Sequence, residues 1–350
     1  MVPTVDVHAE GEPSRVLLGG SLRIRGATMA QRLAWCVEHL DDLRLLLLRE
    51  PRGHPSMCGV VVMPPVSPDS DVAIVVMEQS GFRPMSGSNT LCAVTALLET
   101  GTLPMTAPQT VVRIDTAAGP VEATARVDAG SVRDVQVRNV PSWVESLATP
   151  IEVPEYGSVR ADIAYGGQFY VLAPAAAMGV RLGPENALHI VRAGAALLAA
   201  ARAQVVVEHP TDGDLSQLSL VMLHGPATQQ GVSARNSVVM PTGTLDPSQP
   251  DSWRGVLDRS PCGTGTSARM ACMHARGELG LDVPFIHQGV TGTTFEGRLH
   301  ERIDFHGRDA VVPSIRGRAW IVGINQLVLH PDDPFPRGFA LSDVWGETSL

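Results

Sequence analysis

The sequence predicts an α+β protein made of two similar halves, each with a mostly antiparallel sheet around a central helix. Short stretches rich in Val and Ile alternate with Gly and Pro turns, which is typical of antiparallel strands. Each half carries its strands around one helix instead of alternating strand and helix. A glycine turn followed by a helix also occurs twice, in "RPMSGSNTLCAVTALLETG" from Arg83 and in "RSPCGTGTSARMACMHARG" from Arg259. At 350 residues the chain exceeds one ordinary core, so two related domains are expected.

In the first half, strands are predicted in "SRVLLGG", "CGVVVMPP", "DVAIVVMEQSG", "TVVRIDTAAGPVEATARVDAG" and "SVRDVQVRNVPSW". The stretch "TMAQRLAWCVEHLDDLRLLLLRE" has helical periodicity, and Thr28 is a suitable N-cap. The turn at Ser86 then begins the central helix of this half.

In the second half, a helix is predicted from Pro184 through Arg202, running directly into a strand in "VVVEH". Further strands are predicted in "TTFEGRLHERIDF" and "DAVVPSIRGRAWIVGINQLVLH". Prolines cluster in "PSWVESLATPIEVPEYG", which predicts the boundary between the halves. The expected halves are therefore residues 1–150 and 151–330, with the chain end, about 331–350, rejoining the first half.

Composition excludes several classes of function. The formal charge of -9 argues against a nucleic-acid surface or a basic membrane-binding face. The N-terminus lacks the basic start and apolar core of a secretory signal, and no apolar run reaches the length of a membrane span. Five cysteines form an odd set without paired spacing, which does not indicate a disulfide framework. We expect a reduced, cytoplasmic protein that acts on a small molecule.

The two turns carry the chemistry. At a constant offset Ser86 matches Cys262, Gly87 matches Gly263, and Gly101 matches Gly277. The first backbone N–H groups of a helix lack intrahelical partners and lie at the positive end of its dipole, which suits a carboxylate. A thiol there is a natural base, because a helix N-terminus lowers its pKa. An ordinary helix cap is the alternative for each turn alone, and the repetition favours a site.

These motifs resemble the proline racemase family, which includes hydroxyproline 2-epimerases and trans-3-hydroxy-L-proline dehydratases. The resemblance spans nearly the whole chain, in the blocks "HAEGEPSRVLLGG", "EPRGHPSMCG", "MSGSNTLC", "YGGQFYVL", "DRSPCGTGTSARMA" and "AVVPSIRGRAWIVGINQLVLHPDDPFPRGF". "DRSPCGTGTSARMA" is the most specific of them. The resemblance implies two halves of the diaminopimelate-epimerase type with the active site between them. It also implies that the protein needs no metal and no cofactor.

The resemblance assigns roles position by position. Family members have catalytic cysteines at the positions of Ser86 and Cys262, and commonly a histidine at the position of Ser88. The remaining implied substrate contacts are the carboxylate cradle at the turns, the amine-binding aspartate and a ring-contacting histidine, namely Gly87, Ser88, Asn89, Gly263, Thr264, Asp258 and His224.

Serine at position 86 departs from the two-cysteine pattern of racemases and epimerases. Epimerisation needs an acid and a base on opposite faces of the α-carbon, and an unassisted serine hydroxyl is a poor base. Syn elimination of water from trans-3-hydroxy-L-proline needs mainly one face. The expected function is therefore cofactor-independent dehydration of that substrate to 1-pyrroline-2-carboxylate. The alternatives are a 4-hydroxyproline 2-epimerase and a non-catalytic carboxylate-binding protein, and the protein could form a homodimer. Whether Ser86 or Cys262 takes the α-proton of the L substrate is open.

Overall fold

The structure, a computed structural model, describes residues 1–18, 22–341 and 345. The α-helices whose bounds lie within these residues are α1 Met29–His39, α2 Asp41–Leu48, α3 Gly87–Glu99, α4 Ala187–Gln204 and α5 Gly263–Ala275. Its strands are β1 Val2–Ala9, β2 Glu12–Leu18, β3 Cys58–Met63, β4 Val72–Glu78, β5 Gly81–Arg83, β6 Gln109–Thr116, β7 Gly119–Asp128, β8 Ser131–Arg138, β9 Ser142–Val153, β10 Gly157–Tyr165, β11 Phe169–Pro174, β12 Leu218–Pro226, β13 Ala234–Pro241, β14 Gly255–Leu257, β15 Phe285–Gln288, β16 Thr294–Phe305, β17 Arg308–Gly317 and β18 Ala319–Leu327.

The chain folds into two compact units, residues 1–137 with 316–350, and residues 138–315. In the first unit β1 pairs antiparallel with β18 and with β2, and β2 runs parallel to β3. Strand β3 pairs antiparallel with β4, which pairs antiparallel with β5 and parallel with β6, and β6 pairs antiparallel with β7. Helix α3 packs on β1, β2, β3, β7 and β18 and is buried over nearly its whole length, so it forms the centre of this unit.

The second unit repeats this pattern of pairing. Strand β10 pairs antiparallel with β9 and with β11, and β11 runs parallel to β12. Strand β12 pairs antiparallel with β13, which pairs antiparallel with β14 and parallel with β15, and β15 pairs antiparallel with β16. Helix α5 packs on β9, β10, β11 and β16 as the central helix. The predicted α+β fold with two similar halves is confirmed, because each unit has the same strand order around one buried helix.

The unit boundaries lie earlier in the chain than the sequence indicated. Strand β9 pairs with β10, so it belongs to the second unit although much of it precedes residue 150. Strand β18 pairs with β1 over its whole length and belongs to the first unit although it precedes residue 331. After β18 the backbone N–H of Phe339 donates to the carbonyl of Glu50 at 2.8 Å, within the first unit. The rest of the expected terminal segment, at residues 342–344 and 346–350, lies outside the described residues.

Two local predictions differ from the structure. The helical stretch after Thr28 forms two helices, because the chain leaves helical geometry at Leu40, and the Thr28 hydroxyl does cap α1 by accepting from Gln31 N at 3.2 Å. The strand predicted in "VVVEH" was wrong. Residues 205–209 follow α4 as an irregular segment in which Val206 is 93% exposed, so its apolar pattern reflects no sheet face.

None of the helices within the described residues has the length and apolar character that crossing a membrane requires.

Candidate active site

The first turn places Ser86 at the N-terminus of α3. Ser86 is the N-cap residue in an extended conformation, with φ -151° and ψ 127°. Its carbonyl accepts from Thr90 N at 3.0 Å and from Thr90 Oγ1 at 2.7 Å, which holds the first turn of the helix. Gly87 and Ser88 follow as buried residues at the positive end of the helix, where a carboxylate is favoured.

The Ser86 hydroxyl receives hydrogen bonds from Asn89. The side-chain amide of Asn89 donates to Ser86 Oγ at 3.0 Å, and the backbone N–H of Asn89 lies 3.5 Å from the same oxygen. Ser14 on β2 donates to the amide oxygen of Asn89 at 2.6 Å, which orients that amide with its NH₂ group toward Ser86. Ser88 Oγ lies 3.3 Å from Ser86 Oγ. Because N–H groups occupy its lone pairs, the Ser86 oxygen is suited to donate its own proton and to hold negative charge.

The second turn places Cys262 at the N-terminus of α5 in a different backbone conformation. Cys262 has φ 63° and ψ 111°, a left-handed conformation that a side chain rarely adopts and that costs about 1–3 kcal/mol. Its backbone N–H donates to Ser260 Oγ at 3.0 Å, and its carbonyl accepts from Thr266 N at 3.0 Å. These bonds hold Cys262, a residue that is only 4% exposed, at the N-terminus of the helix.

Tyr170 on β11 contacts this thiol directly. Its hydroxyl lies 3.3 Å from Cys262 Sγ and 2.7 Å from Thr264 Oγ1. Gly265 permits the contact, because a Cβ at that position would stand 3.2 Å from the Tyr170 ring and 3.1 Å from Cys262 Sγ. Burial, followed by the nearby Cys262 charge, raises the pKa of Tyr170 well above its usual value, so the phenol stays neutral. It can therefore donate a hydrogen bond to the sulfur.

The pKa of Cys262 moves in the direction opposite to the sequence-based expectation. Burial raises it well above the usual thiol value, and the negative charge of Asp258 raises it further. Hydrogen bonds from Tyr170 and from the backbone N–H of Gly265 lower it, as a helix N-terminus should, but they are the smaller effects. Without a ligand, Cys262 is therefore a thiol.

Asp258 stands beside the turn in a fixed orientation. It is buried, and its Oδ1 atom accepts from Ser260 N at 2.8 Å and from Ser260 Oγ at 2.7 Å. The same Ser260 hydroxyl accepts from the Cys262 backbone, so Asp258, Ser260 and Cys262 form one connected group. A cation that neutralised Asp258 would remove one of the two main causes of the raised Cys262 pKa.

The structure places His224 in a different environment from these residues. His224 on β12 lines a cavity of about 710 Å³, and the residues that line this cavity do not include Asp258, Cys262 or Thr264. Its expected contact with the substrate ring stays a prediction. Asn89, expected as a binding residue, contacts Ser86, and its contact with the substrate stays a prediction.

Ser14 and Tyr170 were missed from the sequence. They lie on equivalent strands of the two units, β2 and β11, and each acts on the turn of its own unit. The only signal for Tyr170 was its place in "YGGQFYVL", and "GEPSRV" held the only signal for Ser14. Neither motif states which helix the side chain reaches, because that depends on the packing of α3 and α5.

Similarity to known proteins identifies the class. The proline racemase family model matches residues 4–340, and the chain belongs to this family. A 4-hydroxyproline 2-epimerase from Streptosporangium roseum is 41% identical over 96% of this chain and 97% of that protein.

Solved structures agree. A hydroxyproline epimerase from Agrobacterium vitis, solved with bound trans-4-hydroxy-L-proline, is 36% identical over 99% of this chain and 97% of its own, with a TM-score of 0.90. A Bacillus anthracis PhzF-family protein shares the fold with a TM-score of 0.58 and 12% identity, covering 94% of this chain and 99% of its own.

Proposed function

We propose that the protein is a hydroxyproline 2-epimerase that inverts the α-carbon of 4-hydroxyproline. Sequence alone favours dehydration of trans-3-hydroxy-L-proline, because serine replaces the first family cysteine. The observation that favours epimerisation over dehydration is the pair of N–H groups of Asn89 directed at Ser86 Oγ. They remove the objection that the serine is unassisted, since donors aimed at an oxygen stabilise the charge it develops. Relatives named as 4-hydroxyproline 2-epimerases support the same choice.

In this proposal the two helix N-termini hold the substrate carboxylate through the backbone N–H groups of Gly87, Ser88, Gly263 and Thr264. Asp258 binds the substrate ammonium. That contact neutralises the charge which raises the pKa of Cys262, so substrate binding favours release of the thiol proton to solvent and leaves the thiolate. The base is thus generated only when an amino acid is bound.

The proton steps balance without a cofactor. The Cys262 thiolate takes the proton from C2, and the electron pair of the C–H bond delocalises into the carboxylate group. Ser86 then donates its hydroxyl proton to the opposite face of C2, and Asn89 stabilises the serine oxyanion. Ser88, 3.3 Å from Ser86, can return a proton to it in exchange with solvent. The opposite enantiomer reacts with these roles reversed, so each residue serves as acid in one direction and base in the other.

Dehydration of trans-3-hydroxy-L-proline is the second candidate, and the hydroxyl at position 86 is the observation that favours it. Here the Cys262 thiolate takes the α-proton, the C3–O bond breaks, and the thiol returns that proton to the departing hydroxide on the same face. Water leaves, and the enamine tautomerises to 1-pyrroline-2-carboxylate. This route needs no second base, so it does not use the contact between Asn89 and Ser86.

The deciding experiment incubates the purified protein in D₂O with trans-4-hydroxy-L-proline, trans-3-hydroxy-L-proline, L-proline and D-proline. Deuterium at C2 with inversion of the 4-hydroxy isomer is the expected result, and loss of water from the 3-hydroxy isomer indicates the second candidate. Cys262→Ser should abolish both activities while the protein stays folded. A protein that binds these amino acids without exchanging the α-proton would overturn both candidates.

Two variants separate the routes. Asn89→Ala should reduce epimerisation by about tenfold or more, the value of a hydrogen bond to a charged group, and should affect dehydration less. Ser86→Cys should raise the ratio of 4-hydroxyproline epimerisation to 3-hydroxyproline dehydration, because a second thiol ionises more easily than a hydroxyl. A ratio that stays constant in both variants would mean that position 86 does not determine the reaction.

A further inference from the structure

The second unit contains a cavity of about 710 Å³, which is large enough for a small organic molecule. It lies where β11 and β12 end and where β13 begins, and the middle of α5 forms one wall. Val180, Leu182 and Met273 give it an apolar surface. The wall on α5 is formed by Arg269 and Met273, about two to three turns beyond Cys262 and so about 10–16 Å further along the helix.

Charged groups around this cavity are mostly positive. Arg181, Arg235 and Arg269 line it, against one acidic lining residue, Glu185, in a protein whose formal net charge is -9. Among the described residues, the Nε atoms of Arg235 and Arg269 are buried without a hydrogen-bond partner. Buried guanidinium groups normally have their donors satisfied, so these two have unused capacity for an acceptor.

The carboxylate nearest to Arg269 is already engaged by another arginine. Asp162 accepts from Arg276 through both of its oxygens, at 2.7 and 2.5 Å. Arg269 Nη1 stands 4.0 Å from the same carboxylate. Two arginines therefore share one carboxylate, which leaves net positive charge at the wall of the cavity.

His224 adds a neutral polar group to the lining. Burial, then the charge of Arg269, lowers its pKa to about 3, so the imidazole is uncharged near neutral pH. It offers one donor and one acceptor without altering the net charge. The cavity therefore combines guanidinium donors, a neutral imidazole and an apolar wall.

We propose that this cavity is a second ligand site, distinct from the Cys262 turn, that binds a small organic anion. Arg235 and Arg269 contact a carboxylate or phosphate group of the ligand, Arg181 contributes from the exposed rim, and the apolar wall contacts its hydrocarbon part. Arginine suits this task because its planar fork matches both kinds of anion. This site goes beyond the proposed epimerase activity and does not depend on it.

Calorimetric titration of the full-length protein with succinate and with phenyl phosphate tests the proposal and separates the two anion chemistries. Titrations are run with the Cys262 turn saturated by pyrrole-2-carboxylate, a planar analogue of the proposed intermediate. We expect saturable binding of at least one probe at one site per chain. Arg235→Gln should weaken it about tenfold or more, as expected for loss of a charge-assisted hydrogen bond. Arg302→Gln, at an exposed arginine paired with Asp309, is the matched control and should leave the affinity unchanged.

Arg181→Gln provides a second variant at an exposed position, where folding is not at risk, and should also weaken the bound probe. Absence of saturable binding by both probes at millimolar concentration would overturn the proposal. Two other results would also overturn it: binding that is unchanged in both cavity variants, and binding that pyrrole-2-carboxylate abolishes. In either case the anion would occupy another site.

Discussion

At the scale of single residues, the two turns place a hydrogen-bond donor beside the cap residue, but they use different side chains to do so. In the first unit Asn89 fills the space beside Ser86 and is oriented by Ser14. In the second unit the matching position is Gly265, where the absence of a side chain leaves room for Met222, Cys262 Sγ and the Tyr170 ring. Each turn therefore has a hydrogen-bond donor directed at its cap atom, and the donor suits the group that it serves.

Tyr170→Phe tests the role of the donor at Cys262. Loss of the hydroxyl should raise the Cys262 pKa by roughly one to two pH units, equivalent to about 1.5–3 kcal/mol for a hydrogen bond to a charged group. Thiolate absorbance and the rate of alkylation by iodoacetamide, measured against pH, report this change directly. Tyr165→Phe is the matched control, because Tyr165 is another buried tyrosine of this unit and its hydroxyl has no hydrogen-bond partner among the described residues. An unchanged thiol titration in Tyr170→Phe would show that the contact is only structural.

Asp258→Asn tests the coupling between substrate ammonium and thiol. Removal of this negative charge should lower the Cys262 pKa in the free protein, because the charge of Asp258 raises it. The same variant should bind hydroxyproline about 10–150-fold more weakly, yet pyrrole-2-carboxylate, which has no ammonium group, should lose much less affinity. Thiolate absorbance and calorimetry measure the two effects. Equal loss for both ligands would contradict the assignment of Asp258 to the ammonium.

The pH dependence of turnover follows from the same thiol. In the free protein Cys262 is protonated at neutral pH because its pKa is raised, so activity that requires the thiolate should increase with pH. Proline should shift the thiolate titration to lower pH when it binds, whereas pyrrole-2-carboxylate should not. If proline does not shift the thiolate titration of Cys262, substrate binding does not generate the base.

At the scale of elements, each central helix must keep its N-terminus at a fixed place in its unit. Helix α5 is attached near its other end as well, because Arg276 donates to Asp162 of β10 at 2.7 and 2.5 Å. Asp162 is buried, and although burial alone would raise its pKa, the bonds from Arg276 and Ala148 N lower it. This ion pair thus links the helix to the sheet beneath it.

Arg276→Met should destabilise the protein by about 3 kcal/mol, because it leaves a buried carboxylate with a weaker partner. The pKa of Asp162 is lower in the folded protein than in the unfolded chain, where it is about 4. Its carboxylate therefore stabilises the wild type at pH values above about 4, and this contribution is lost as the pH falls through the folded pKa. The difference in the free energy of unfolding between wild type and variant should therefore become smaller toward low pH. Urea denaturation at several pH values measures it, with Arg302→Met as the exposed control, which should cost about 1 kcal/mol or less. A difference that stays the same at every pH would argue against the ion pair.

At the scale of the whole molecule, the chain builds two units of the same topology, and the first is made from both ends of the sequence. Strand β18 covers β1 with eight paired positions and returns the chain to the first unit after the second is complete. The arrangement makes the first unit dependent on residues that are synthesised after the second unit.

A chain that ends after Ile315 should therefore fail to fold its first unit, because β1 loses one neighbour and exposes an unpaired edge. Hydrogen exchange of residues 2–9, followed by mass spectrometry, should show loss of protection there. A chain that ends after Leu341 is the control, since it keeps β18 and the bond between Phe339 and Glu50. Full protection of residues 2–9 in the shorter chain would show that β18 is dispensable.

Much of this protein was determined by its sequence alone. Periodicity and turn residues predicted β2–β4, β6–β8 and β16–β18, but not β1, β5 or the strands from β9 to β15. The repeated glycine turns predicted the paired central helices, and Ser86 and Cys262 were found as their N-caps. These features are local, because capping and alternation depend on neighbours within a few positions along the chain. The boundaries were less accurate, since the unit to which β9 or β18 belongs depends on the strand with which it pairs.

Only the tertiary structure decided the electrostatics of the turns. A helix N-terminus predicts a lowered pKa for Cys262, whereas burial and Asp258 raise it, and burial depends on how β11 and α5 pack. Tyr170 lies 92 positions from Cys262 in the sequence and Ser14 lies 75 from Asn89, so no local pattern links them. The sequence specifies which groups stand at the two helix ends, and long-range packing determines their charge and their partners.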